Sequence, residues 1–149
     1  MPAAVQAPSS VERGLNRVLG FVVSLGIGPS YCRELVVPGR KSGKLYSTPV
    51  NMLEHDGKLW LVAPRGRTQW TYNAEAAGEV VLKRGSSRTR YAIRATQPEE
   101  RPVLLKHYLE TYASQVRRFF KVAPGAPVSE FATIAGDHPV YELTMKTMA

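Results

Sequence analysis

The residues best suited to chemistry fall in one short run, Pro38-Gly39-Arg40-Lys41-Ser42-Gly43-Lys44-Leu45-Tyr46-Ser47-Thr48-Pro49. Arg40, Lys41 and Lys44 bring positive charge, and Ser42, Ser47 and Thr48 bring hydroxyls. Gly39 and Gly43 leave the backbone free to turn successive N–H groups toward one point, which makes an anion-binding hollow. The fork of an arginine grips phosphate or carboxylate with two parallel hydrogen bonds. The chemistry implied is the holding of an anionic ligand. A solvated hairpin tip that binds nothing has the same composition, and the residues alone leave both readings open. A Walker A loop is excluded: three residues, not four, separate Gly39 from Gly43, and Leu45 follows Lys44 where Ser or Thr is required.

Other chemistries lack their residues. His55, His107 and His138 are far apart, without metal-ligand spacing, and read as surface or turn residues; no metal site is expected. There is no Gly-x-Ser-x-Gly and no paired-carboxylate signature. Cys32 is the one cysteine, so it forms no internal disulfide and reads as a small buried hydrophobe. A reaction carried by a cofactor asks less of the protein, which supplies grip, orientation and a pocket. Three segments can do so: the run from Gly39 to Pro49, the end of a strand at Val62-Ala63-Pro64-Arg65, and a helix start at Gln69-Trp70-Thr71-Tyr72-Asn73. Trp70 and Tyr72 either flank a flat ring or pack beneath the helix. Asn73 bonds a ligand, caps the helix or lies on its surface.

The 149 residues are expected to form a single domain, 1–149, and a net charge of +8 points to an acidic partner. Residues 1–9 are expected to be disordered and 10–26 to be helical, with Leu15, Val18, Leu19, Val22 and Val23 at helical spacing. That helix is interrupted by Asn16 and Arg17 and is too short to cross a bilayer. It covers one end of the core or touches a membrane surface. The expected location is cytoplasmic, with membrane association through this helix as the alternative.

The elements that must position the basic run read as hairpins. Strands are expected at Tyr31–Val37, Tyr46–Glu54 and Lys58–Ala63, with Asp56-Gly57 turning the second hairpin. Thr68 caps a short helix through Ala77. Glu79–Arg84 and Arg88–Ala95 form a further hairpin whose outer face carries Arg88, Arg90 and Arg94. Thr96 to Glu99 matches a capping box before a helix whose stripe is Leu105, Tyr108, Leu109 and Tyr112. Val140–Lys146 closes the chain, with Tyr141, Leu143 and Met145 inward. About six antiparallel strands at this spacing, punctuated by helices, predict a mainly β (α+β) small barrel.

With these residues in place, the chain resembles the deazaflavin-dependent nitroreductase family, actinobacterial oxidoreductases of the split β-barrel, FMN-binding-like type. The resemblance rests on Val37–Val50, on Leu61-Val62-Ala63-Pro64-Arg65-Gly66 and on Gln69–Glu79, in that order. It implies coenzyme F-420, an 8-hydroxy-5-deazaflavin with a phosphate and an oligoglutamate tail, ahead of FMN. Carried over by motif, Arg40, Lys41 and Ser42 meet phosphate and tail. Tyr46, Ser47, Thr48, Pro49, Val50 and Asn51 line the cofactor. Val62, Ala63, Pro64 and Arg65 sit near ring or phosphate, and Gln69 to Asn73 close over the ring. Tyr46 stands where relatives commonly have Arg. Asn51 stands where some have a substrate-facing Tyr, and Tyr108 and Tyr112 loosely match a substrate lid.

The implied reaction passes a hydride from the reduced coenzyme to a quinone, enone or nitroaromatic acceptor, in a monomer or homodimer. The catalytic residues are left unassigned. Two other functions compete: a non-catalytic carrier of lipid or small ligand on the same fold, and a basic nucleic-acid-binding barrel using Arg88, Arg90 and Arg94. The lack of aromatics interleaved with those arginines, Tyr91 apart, speaks against nucleic acid.

Overall fold

The structure is a computed structural model and describes residues 32–146. The disorder expected at 1–9, the helix expected at 10–26 and the strand start at Tyr31 lie outside the described residues. Six strands close into an antiparallel barrel: β1 (Cys32–Pro38), β2 (Leu45–His55), β3 (Lys58–Val62), β4 (Glu79–Arg84), β5 (Ser87–Ala95) and β6 (Val140–Met145). Around the barrel they run β1-β2-β3-β6-β5-β4, and β4 pairs back onto β1. Closure leaves no open sheet edge. The helices are α1 (Gln69–Ala77), α2 (Arg101–Val116) and α3 (Val128–Ala132), with 3-10 turns at Pro98–Glu100 and Arg117–Phe119. Among the described residues, no helix is long and apolar enough to cross a membrane.

Alternation along the strands splits the apolar side chains between two cores. Leu61 points inward with Leu35, Val37, Val80, Leu82, Tyr91, Tyr141 and Leu143, and Ala74 of α1 plugs that interior. Trp60 and Val62, one step away on β3, point outward with Leu53 and meet Leu105, Tyr108, Leu109 and Tyr112 of α2. The predicted helical stripe is thus the seam between α2 and the barrel. Its helix breaks at Tyr112 (φ −118°, ψ 24°), whose hydroxyl donates to the Met52 carbonyl.

The β2–β3 turn follows the sequence closely. His55 pairs with Lys58 across Asp56 (φ 57°) and Gly57 (φ 74°), the two left-handed residues that a tight hairpin of the favoured twist demands.

Some expectations are corrected. Met145 is 65% exposed, not inward. The pairing of β6 with β3 ends at Leu143, so Met145 has a neighbouring strand on one side only. The capping box lies one residue later than expected, with Glu100 accepting from the Gln97 N–H at 2.7 Å. Thr96 is unavailable as a cap, because its buried hydroxyl donates to the Val140 carbonyl at 2.8 Å. His138 is buried rather than on the surface, stacked on Phe120 at 4.3 Å.

Candidate functional site

The basic run is the connection between β1 and β2. Pro38 pairs with Leu45, leaving Gly39 to Lys44 as the loop. The Gly39 N–H donates to the Lys44 carbonyl at 2.7 Å, the Gly43 N–H to the Gly39 carbonyl at 2.9 Å, and the Lys44 N–H to Ser42 Oγ at 3.2 Å. Gly39 is there for space: a Cβ would come within 2.7 Å of the Tyr46 ring and 3.1 Å of Ser42 Oγ. Lys41, Ser42, Lys44, Tyr46 and Ser47 are exposed, and Thr48, Pro49 and Val50 are half-buried.

Arg40 does not wave in solvent. Asn73 Oδ1 accepts its backbone N–H at 3.0 Å and its Nη1 at 2.8 Å, and Gln69 Oε1 accepts the same Nη1 at 3.0 Å. The guanidinium lies 5.2 Å from the Tyr72 ring centroid. Helix α1 therefore docks the loop, and Asn73 is buried (5% exposed) to do it. Asn73 thus holds the loop, a role the sequence alone did not suggest. Thr71 is also local, accepting the Thr68 N–H at 3.1 Å and donating to the Thr68 carbonyl at 2.7 Å. Trp70 packs edge-on against Tyr141 at 5.8 Å, so it belongs to the barrel wall. Tyr72 is half-buried, and the Arg67 guanidinium also lies near its ring, 5.6 Å from the centroid.

A chain of polar groups secures this turn to the barrel interior. Glu75 Oε2 accepts from Arg67 Nη1 at 2.6 Å and from the Tyr141 hydroxyl at 2.5 Å. Burial, then the neighbouring Glu75 carboxylate, pushes the Tyr141 hydroxyl well above the usual tyrosine range. Burial is the largest single effect on Arg67 and lowers its pKa, but the hydrogen bond and charge of Glu75, with Tyr141 and Tyr72, together raise it above its ordinary value. Neither Arg67 nor Glu75 stood out in the sequence beyond the basic turn, because their partners lie on other elements.

The third predicted segment leads elsewhere. Val62 and Ala63 are buried, and Pro64 and Arg65 are half-buried. The Ala63 N–H donates to the Pro139 carbonyl at 2.9 Å, and the Ala63 carbonyl lies 3.3 Å from His138 Nδ1. Arg65 turns to Phe119, 4.7 Å from its ring centroid. Loop and helix start are thus in direct contact, while the strand end faces the C-terminus of α2.

Asn51, Tyr108 and Tyr112 come together on the outer side of β2. Asn51 Nδ2 donates to Gln115 Oε1 at 2.9 Å, and the two tyrosine rings meet edge-on at 5.0 Å. Both tyrosines are buried, and burial pushes the Tyr108 hydroxyl far above its ordinary range. Gln115 lies on α2, 64 positions from Asn51, and no local signal marks it.

His55 and His107 also meet, Nδ1 to Nδ1 at 2.9 Å, although the sequence kept them apart. Among the described residues no group of three or more His, Cys, Asp and Glu could hold a metal ion. The arginine face of β5 is largely neutralised: Arg90 pairs with Glu79 at 2.9 Å, and Arg94 with Glu100 at 2.8 Å and Glu142 at 3.0 Å.

The sequence profile of the F420H(2)-dependent quinone reductase family matches residues 28–128. Comparison with curated proteins gives no match. Among solved structures the chain is similar to one described as a domain-swapped dimer, at 20% identity and TM-score 0.55, covering 90% of this chain and 96% of that one. It is similar to an F420-H2 dependent reductase at 21% identity and TM-score 0.52, covering 77% and 95%. It is also similar to a FAD-binding protein from Mesorhizobium loti at 12% identity and TM-score 0.51, covering 87% and 89%. At these identities the structural likeness establishes the split-barrel fold, and the family profile, spanning more than half of the chain, establishes kinship. The chain belongs to the F420H(2)-dependent quinone reductase family and is an oxidoreductase of the coenzyme F-420 type.

Proposed function

We propose that this single-domain chain reduces a quinone, with the β1–β2 loop as the seat of the anionic end of the coenzyme. The observation that carries this reading is the double hydrogen bond from Arg40 to Asn73, which fixes a cationic loop before any ligand arrives. Preorganisation of this kind removes an ordering cost from binding. The residue types fit the group: Gly39 to Asn51 include Arg40, Lys41 and Lys44, four hydroxyl side chains and no carboxylate. Lys41, Ser42 and Lys44 bind phosphate and glutamate carboxylates, while Arg40 uses its remaining donors after Nη1 is engaged. Tyr46 takes the place of a cation with a phenol, a weaker anion donor.

From Tyr46, β2 runs about 17 Å to Asn51 at the usual rise per residue. That is room for an extended ligand whose charged end is at the loop and whose ring lies toward Asn51. Bound there, the coenzyme supplies a hydride. The chain's own contribution is to orient the ring against β2 and the Ala63–Arg65 strand end, and to exclude water with α2. Tyr108 and Tyr141 are poor proton sources, since burial disfavours their ionised forms.

Quinone is chosen over enone and nitroaromatic on the family's own description. A homodimer is favoured over a monomer by the similar structure described as a domain-swapped dimer. The test is an anaerobic assay with reduced coenzyme and a panel of quinones, enones and nitroaromatics, following recovery of the coenzyme's visible absorbance. Turnover with quinones is expected. Coenzyme binding without turnover of any of the three classes would leave the carrier reading in its place.

A further inference from the structure

The two histidines that meet across the seam between β2 and α2 lie away from the basic loop. His55 is the last residue of β2, and its backbone is fixed twice. It pairs with Lys58 across the Asp56-Gly57 turn, and its carbonyl accepts the Trp60 indole N–H at 3.2 Å. His107 stands beside the buried Tyr108 on α2, in the part of the helix that precedes the break at Tyr112. Its carbonyl accepts the Thr111 hydroxyl at 2.7 Å. A strand and a helix hold side chains at set distances better than loops do. Both imidazoles are half-buried, so solvent reaches them.

Their Nδ1 atoms are 2.9 Å apart, with ring centroids at 5.0 Å and ring planes inclined at 62°. The rings thus meet edge to edge. With no ion between them, one Nδ1 carries a proton and donates it to the other. The same separation suits a metal. Two imidazole nitrogens, each roughly 2.0–2.1 Å from one ion, stand about 2.9 Å apart at right angles and about 3.3 Å apart at the tetrahedral angle. Right-angle positions belong to the square-planar and tetragonal geometries of copper(II) and nickel(II), which imidazole suits as a ligand. A tautomer shift moves the bridging proton to Nε2, and a small turn of the rings aims both lone pairs at one point beside them. Among the described residues no third His, Cys, Asp or Glu joins the pair. Water or an exogenous ligand therefore completes the shell.

We propose that His55 and His107 form a two-imidazole site for a divalent copper or nickel ion, which clamps α2 to the end of β2. Side-chain hydrogen bonds tie α2 to β2 from Tyr112 to the Met52 carbonyl and from Asn51 to Gln115, at and beyond the helix break. The ion adds a tie before it. This assignment does not depend on the function proposed above.

Copper(II) and nickel(II) chlorides are titrated by calorimetry into the full, untagged chain in a non-chelating buffer at neutral pH, without coenzyme. The copper-loaded chain is then frozen for electron paramagnetic resonance. One ion per chain is expected, copper binding more tightly than nickel, and the copper spectrum should carry splitting from two nitrogens. His107→Gln keeps a hydrogen-bonding side chain opposite His55. It should weaken copper binding by at least about tenfold, the least that losing even a supporting partner of a metal site costs, and leave no more than one nitrogen in the spectrum. His138→Phe should change neither readout. Nickel at about a hundred times its Kd should raise the wild-type melting temperature by roughly 5 °C, and that of His107→Gln by much less. A wild-type copper spectrum with fewer than two nitrogens overturns the proposal whether or not the variants fold. Copper binding as tight in His107→Gln as in wild type also overturns it, and leaves the pair as a hydrogen-bonded contact only.

Discussion

Asn73 Oδ1 holds Arg40 at two atoms, the backbone N–H at 3.0 Å and Nη1 at 2.8 Å, and so ties the β1–β2 loop to α1. A single buried acceptor sets both the path of the loop and the direction of its arginine. Asn73→Ala removes it and is expected to cost about 1–3 kcal/mol of loop docking, the usual range for hydrogen bonds to a charged group. Coenzyme affinity should fall roughly tenfold or more, with a modest drop in melting temperature. Fluorescence titration alongside thermal unfolding checks this, and unchanged affinity would show that the loop is positioned by something else.

Lys41 and Lys44 are expected to act through charge rather than fit, since both side chains are exposed. Neutralising both, as Lys41→Gln with Lys44→Gln, should weaken coenzyme binding by roughly tenfold at low salt, by the arithmetic of two partly screened ion contacts. It should also flatten the salt dependence. Titrations at several ionic strengths distinguish this outcome from a general loss of fold, in which circular dichroism would change as well.

Stability should depend on pH in two separate windows. Burial lowers the His138 pKa below its ordinary value, so the folded state binds fewer protons there than the unfolded state. Its contribution is complete above the unfolded value of about 6.5 and declines as pH falls below it. Glu100 is held down to about 2, chiefly by Arg94 and then by the Gln97 N–H. Its contribution is complete above about 4.5 and is lost toward pH 2. His138→Phe should remove the upper window and leave the lower one, as read from melting temperature against pH. An upper window that persists in His138→Phe would assign it to another group.

Tyr141→Phe deletes a hydroxyl whose hydrogen bond to Glu75 secures the β3–α1 turn through Arg67. The expected cost is about 1 kcal/mol, or a melting temperature lower by roughly 2–5 °C for a domain of this size. Glu75→Gln should lower it too, and the double variant should cost less than the sum, because the two residues share one interaction. Additive losses measured by denaturant unfolding would contradict the coupling.

Much of the barrel was legible in local pattern. Leu59 to Ala63 is an apolar run of strand length, and Asp56-Gly57 before it selects one tight turn, although nothing in the run shows that Leu61 faces inward and Trp60 and Val62 outward. The basic run from Gly39 to Lys44 stood out by composition, whereas the role of Asn73, in the short helix that starts at Gln69, was left open. What stayed hidden depends on partners distant in sequence. Asn51 finds Gln115 on α2, and His138 finds Phe120, so neither partnership leaves a local trace. Thr96 looked like a cap until Val140 claimed its hydroxyl. The arginines of β5 lie on the outer face, as expected for Arg90 and Arg94, but Glu79, Glu100 and Glu142, which meet them, come from β4, the 3-10 turn before α2 and β6. Net charge gives the total and not its pairing.

The most direct measurement is a fluorescence titration of coenzyme F-420 with the wild-type chain, repeated with a coenzyme preparation lacking the glutamate tail. The account predicts saturable binding at about 10 μM or tighter, weakened by salt and by removal of the tail. No binding at low salt, or an affinity indifferent to both salt and tail, would contradict it.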